Sequence, residues 1–163
     1  MRYIKTFEGL VDKPIFLRLL LVKFLSKTIT SPNLLIHTNL RDRNQLDYVE
    51  YITIKDKRYN TIFQLNTNYL KDKKSKSDSV KHKQKIRVQL VTYYSKPVES
   101  DKEFVSLLEE FIIDVFTKHS FFVKKYYRND CHDFYINTSD IDNIMNELNT
   151  DFEYYQSMKK YNL

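Results

Sequence analysis

At 163 residues the chain has room for one domain with a sizeable core, and its 42% hydrophobic, 15% aromatic composition excludes general disorder. The single cysteine, Cys131, excludes an internal disulfide and points to a reducing compartment, while the single glycine, Gly9, excludes a phosphate-cradling loop or a dinucleotide turn. Basic residues outnumber acidic ones 27 to 21, and the whole surplus of +6 lies in residues 71–87 (KDKKSKSDSVKHKQKIR), which hold eight Lys/Arg against two Asp.

In chain order, Asp12 followed by Pro14 is a helix-start signal, which predicts a helix over residues 14–26. Its apolar residues Ile15, Phe16, Leu19, Leu20, Val22 and Phe24 cover most of the circumference and predict that the helix is buried against something. This apolar run is broken by Arg18 and Lys23 and falls short of the ~20 residues a membrane span needs, so no membrane association is expected. No secretory cleavage site follows it. Residues 34–38 read as a short strand. Residues 48–54 and 59–65 are β-branched and aromatic runs about a polar turn at 55–58, a hairpin.

The basic stretch leads into residues 86–94, a strand whose alternation sets Ile86, Val88 and Leu90 against Arg87, Gln89 and Val91. Ser100 with Glu103 is a capping box that opens the strongest helix, with Phe104, Leu107, Leu108, Phe111, Ile112, Val115 and Phe116 at amphipathic spacing. Residues 121–127 and 133–137 read as strands about a turn at 128–130, and Thr138 or Ser139 caps a helix running through Leu148. The expected fold class is α+β: a ferredoxin-like βαββα core at 85–163, preceded by an N-terminal helix and β-hairpin extension at 1–70 and a basic linker at 71–84.

Catalytic constellations do not emerge from the spacing. Cys131 and His132 are adjacent, so on a strand they point to opposite faces, and no Cys or His spacing suits a metal. Glu109 and Glu110 lie on the polar side of their helix, and Asp140 and Asp142 sit in a first turn where the dipole favours them. The expectation is a non-enzyme without cofactor, metal or small-molecule substrate. A confined strip of cations is instead a docking element for a polyanion, or else a solvated linker. The candidate RNA-binding residues are Lys71, Lys73, Lys74, Lys76, Lys81, Lys83, Lys85 and Arg87, with Tyr93 placed to stack on bases. Lys124, Lys125 and Arg128 flank Tyr126 and Tyr127, of which at most one can face a ligand.

From Lys85 onward, KIRVQLVTYY, DKEFVSLLEEFIIDVF, FFVKKYY, DFYINTS and then Asp151-Phe152-Glu153 leading into YYQSMKK resemble the tenth small-subunit ribosomal protein family, particularly its divergent mitochondrial members. The family's Gly- and Pro-rich loop and its last helix and strand have no counterpart here. The resemblance implies a basic strand after Glu153, RNA contacts by Lys85, Arg87, Lys159 and Lys160, and ribosomal RNA and neighbouring ribosomal proteins as partners. The absence of Ala and Trp beside abundant Lys, Asn, Ile, Tyr and Phe is the usage of an AT-rich genome. The expectation is therefore an organelle-encoded structural component of the mitochondrial small ribosomal subunit, located in the matrix. Two alternatives stay open: a viral or plasmid-encoded single-strand nucleic-acid-binding or transcription accessory protein, cytoplasmic in location, and a non-catalytic accessory subunit of a large assembly.

Overall fold

The strand expected at residues 86–94 forms as β4 (Lys85–Thr92) and stands inside a continuous six-stranded sheet. The computed structural model describes residues 13–39, 51–69, 85–93, 99–126 and 130–161. Before β4 come α1 (Lys13–Thr28), β1 (Leu34–Asn39), β2 (Tyr51–Asp56) and β3 (Thr61–Tyr69). After it come α2 (Glu99–His119), β5 (Phe122–Tyr126), β6 (Cys131–Asn137), a 3-10 turn at Thr138–Asp140 and α3 (Ile141–Tyr161). The fold is α+β, with strand order β1-β2-β3-β4-β6-β5 and every neighbouring pair antiparallel.

The alternation of β4 survives intact. Ile86, Val88 and Leu90 are fully buried, and so are Phe134 and Ile136 beside them on β6; Leu65, opposite Leu90 on β3, is 1% exposed. The three helices among the described residues cover that one side. Phe152 of α3 is the hub, with its ring centroid 6.3 Å from Phe24 of α1 and 6.1 and 5.2 Å from Phe104 and Phe111 of α2. The Thr67 hydroxyl donates to Pro14 O at 2.8 Å and Arg18 Nη2 donates to Thr67 O at 3.0 Å, which fixes α1 over β3.

Three differences from the sequence reading stand out. The boundary drawn between an N-terminal extension and a C-terminal core falls between β3 and β4, yet these strands pair from Phe63↔Thr92 to Tyr69↔Ile86 and share one hydrophobic core. A strand edge with unpaired amides finds its partner wherever the chain supplies one. Secondly, residues 154–160 are helical rather than a basic strand, since α3 runs unbroken to Tyr161. Burial of Phe152 among three aromatic rings outweighs the modest helix propensity of Asn149-Thr150-Asp151. Finally, α2 begins at Glu99, so Ser100 lies inside its first turn and not at the capping position. As expected, α1 is buried against the rest of the fold, through Leu17, Leu21, Phe24 and Leu25, while Leu19 on its outer side is 59% exposed.

A chain with one glycine must place other residues where φ is positive, and among the described residues they are Tyr59 (φ 62°) and Asp130 (φ 38°). The Asp56 carboxylate makes the first possible: its Oδ1 accepts from Arg58 N at 2.9 Å and Asn60 N at 2.8 Å, and its Oδ2 from Asn60 Nδ2 at 3.0 Å. The Asn60 side chain, with help from these backbone amides, holds the Asp56 carboxyl below its ordinary value.

Where α2 meets the end of β4, the Thr92 hydroxyl donates to Glu109. Burial nevertheless pushes the Glu109 carboxyl up, against the pull of that hydrogen bond. A carboxyl raised in the folded state binds its proton more tightly there than in the unfolded chain, so stability falls as pH rises from its ordinary value through the raised one. Glu109→Gln is accordingly expected to raise the Tm at neutral pH, by about 2–4 °C per kcal/mol relieved, with the gain vanishing in acid where wild-type Glu109 is protonated. Thermal melts of both proteins from acid to neutral pH check this.

Candidate nucleic-acid interface

Odd-numbered residues of β4, β5's even ones and β6's odd ones stand on the face opposite the helices, and among the described residues no helix lies over it. Register then brings distant residues side by side. Phe122, Tyr135, Arg87 and Asn68 form one line across β5, β6, β4 and β3; Lys124, Asp133, Gln89, Asn66 and Tyr51 form the next, reaching β2.

A polar chain crosses this surface. Tyr93 Oη donates to Gln64 Oε1 at 3.2 Å, Gln64 Nε2 to Asn66 Oδ1 at 3.1 Å, and Asn66 Nδ2 to Gln89 Oε1 at 3.3 Å. Gln89 Nε2 then donates to Asp133 Oδ1 at 2.8 Å. Every amide points its donor toward the carboxylate, an arrangement in which successive dipoles polarise one another. Asp133 is fully buried, and its Oδ2 also receives the Tyr126 hydroxyl at 3.1 Å and Arg87 Nη2 at 2.8 Å. A buried carboxylate is tolerable only with such a set of partners.

Beside that chain the surface is aromatic and cationic. Phe121 is 51%, Phe122 54% and Tyr93 42% exposed. The half-buried Tyr135 ring lies 5.3 Å from Phe122 and 6.4 Å from Phe121. Lys85 Nζ sits 5.1 Å from the Phe121 centroid and Lys124 Nζ 4.4 Å from that of Tyr126. The Tyr126 hydroxyl beside it holds the Lys124 ammonium above its ordinary value, so the cation persists. Burial, and then the charge of Asp133, pushes the Tyr135 hydroxyl up and keeps it neutral.

Of the residues singled out from the sequence, Lys85, Arg87 and Lys124 stand on this face near Phe122 and Tyr135, with Arg87 held by Asp133, and Tyr93 stands on it at the other end of β4 beside Gln64. Lys125 does not join them: it follows Lys124 onto the helix side, opposite His132. Lys159 is also elsewhere, on α3, with its Nζ 3.2 Å from Glu110 and 5.5 Å from the Tyr155 ring centroid. The α3 backbone includes Lys160, whose side chain is outside the described residues, as are Lys71, Lys73, Lys74, Lys76, Lys81, Lys83 and Arg128 and the tyrosines Tyr94 and Tyr127.

Reading along the chain missed Phe121, Phe122, Tyr135 and Asp133. Phe122 and Tyr135 carry a signal in their strand parity, since each lies two residues from a charged one and next to an apolar residue, Val123 or Phe134, that packs on the core. Asp133 reads only as the first residue of a strand, and its partners on β4 and β5 emerge when β6 is paired. Cys131 shares its face, and burial pushes that thiol up into its unreactive protonated form, while burial and the nearby Lys125 push His132 down. No helix among the described residues is long and apolar enough to cross a membrane. No protein-family model, curated protein or solved structure matches the chain.

Proposed function

We propose that this chain is a non-catalytic RNA-binding protein that lays a single-stranded segment across the sheet face opposite its helices. The observation that carries the reading is that Phe121, Phe122 and Tyr135 stand with Lys85 and Lys124 on that face, with Tyr93 on the same face toward the other end of β4. Unpaired bases stack on aromatic side chains, and sheets that carry such rings on an open face bind RNA in this way. The basic stretch of residues 71–87 ends on β4 and supplies phosphate attraction where the rings supply stacking. Coding bias and the resemblance of the C-terminal half favour a structural role in an organellar small ribosomal subunit, with ribosomal RNA and neighbouring ribosomal proteins as partners and the mitochondrial matrix as location. The family's basic strand after Glu153 is not among the supports, since α3 occupies that stretch.

The test is an anisotropy titration of the full chain with a short unstructured RNA, its duplex and its DNA analogue over a range of salt. Tighter binding of the single strand is expected, with a log–log salt slope that becomes shallower by about 0.7 for each of Lys85→Gln and Lys124→Gln. Absence of binding at low salt, or a preference for the duplex, would overturn the reading. Equal or tighter binding of the DNA analogue would turn it toward the single-strand DNA alternative, because only a contact to the 2′-hydroxyl tells the two apart.

A further inference from the structure

We infer that Arg87 reads guanine, with Asp133 as the residue that positions it. The inference rests on the RNA reading of this face.

A guanidinium offers five N–H donors in a rigid fork. In Arg87, Nη2 lies 2.8 Å from Asp133 Oδ2, and Nε is buried with no hydrogen-bond partner among the described residues. The side chain keeps 38% of its area exposed, which leaves the terminal nitrogens as the donors a ligand can meet. Asp133 itself cannot yield, because it is fully buried and its two oxygens are held by Gln89 and Tyr126 as well. The guanidinium is therefore fixed in place, and the pair as a whole carries no net charge. A neutral pair has little long-range pull on phosphate, so what remains is a directional set of donors.

Such a fork matches a base edge with two adjacent acceptors. Guanine presents O6 and N7 on one edge; adenine presents N7 beside an amino group, which would set donor against donor. Position agrees with this chemistry. Tyr135 is the direct neighbour of Arg87 on β6, and Phe122 the neighbour of Tyr135 on β5, at strand spacings of about 4.8 Å. A base stacked on Tyr135 and Phe122 brings its edge to Arg87. The rings supply stacking for any base, and the clamped arginine discriminates among them.

The experiment compares oligouridines carrying one central guanine, adenine, cytosine or uracil, titrated against the full chain by anisotropy at fixed salt. The guanine oligomer is expected to bind about tenfold tighter than the other three. Replacing that guanine by 7-deazaguanine, which removes only the N7 acceptor, should erase most of the preference. Arg87→Lys, which keeps the charge and removes the fork, should flatten it. Asp133→Asn should flatten it and also tighten binding of the all-uracil oligomer, because Arg87 is released as an ordinary cation. Equal affinity for all four bases, a preference for adenine or cytosine, or a guanine preference that survives Arg87→Lys would overturn the inference and leave the RNA reading standing. Failure of every oligomer to bind would overturn both. Circular dichroism of Asp133→Asn checks its fold, and Arg87→Lys at a half-buried position supplies the deciding variant if that one unfolds.

Discussion

Asp133→Ala is expected to destabilise the protein by about 3 kcal/mol, the lower end of the range for removing one partner of a buried ion pair. The lower end applies because Arg87 is 38% exposed and water would partly solvate the charge left behind. More than one bond is lost. The carboxylate is the acceptor for Arg87, for Gln89 Nε2 at 2.8 Å and for the Tyr126 hydroxyl at 3.1 Å, and it terminates the chain that runs back through Asn66 and Gln64 to Tyr93. Asp133→Asn should cost less, since an amide oxygen still accepts. Urea unfolding of the three proteins measures this. A loss below about 1 kcal/mol for Asp133→Ala would mean that the network contributes no more than one ordinary hydrogen bond.

Phe122→Ala and Tyr135→Ala are each expected to weaken single-stranded RNA binding by about 1–3 kcal/mol, roughly 5- to 150-fold. Phe122 is 54% exposed, so its truncation should leave the stability nearly unchanged and isolate the effect on binding. Tyr135 touches both phenylalanines, with ring centroids 5.3 Å from Phe122 and 6.4 Å from Phe121, so the two substitutions should couple rather than add. RNA affinity unchanged in Phe122→Ala, beside an unchanged melting curve, would remove stacking from the account of this face.

Rings bind best when they are held in place before the ligand arrives. In the rows beside Phe122 and Tyr135, on the same face, Gln64, Asn66, Gln89 and Asp133 hydrogen-bond to one another across β3, β4 and β6. That arrangement also explains why amides and a carboxylate occupy strand positions where β-branched residues would be the ordinary choice.

Chain order and element type were legible because periodicity is a local property. Ile86, Val88 and Leu90 alternate as a strand does, and all three are fully buried; Leu108, Phe111, Ile112, Val115 and Phe116 keep a helical spacing, and all five are buried. Local signals failed where a distant residue decided the outcome. The helix expected to run through Leu148 continues to Tyr161, where Phe152 meets Phe24, Phe104 and Phe111; those contacts are carried neither by the spacing of the stretch itself nor by the resemblance that implied a strand after Glu153.

By itself, then, the sequence determined an α+β chain with its helices and strands in the right order, and a surplus of cations that leads into β4. Which cations share a surface with which rings was decided only by tertiary structure. Lys124 and Lys125 are adjacent in the chain and part to opposite faces of the sheet, while Gln89 and Asp133 stand 44 residues apart and bond. Strand register sets both outcomes, and register is a property of paired backbones, not of any segment alone.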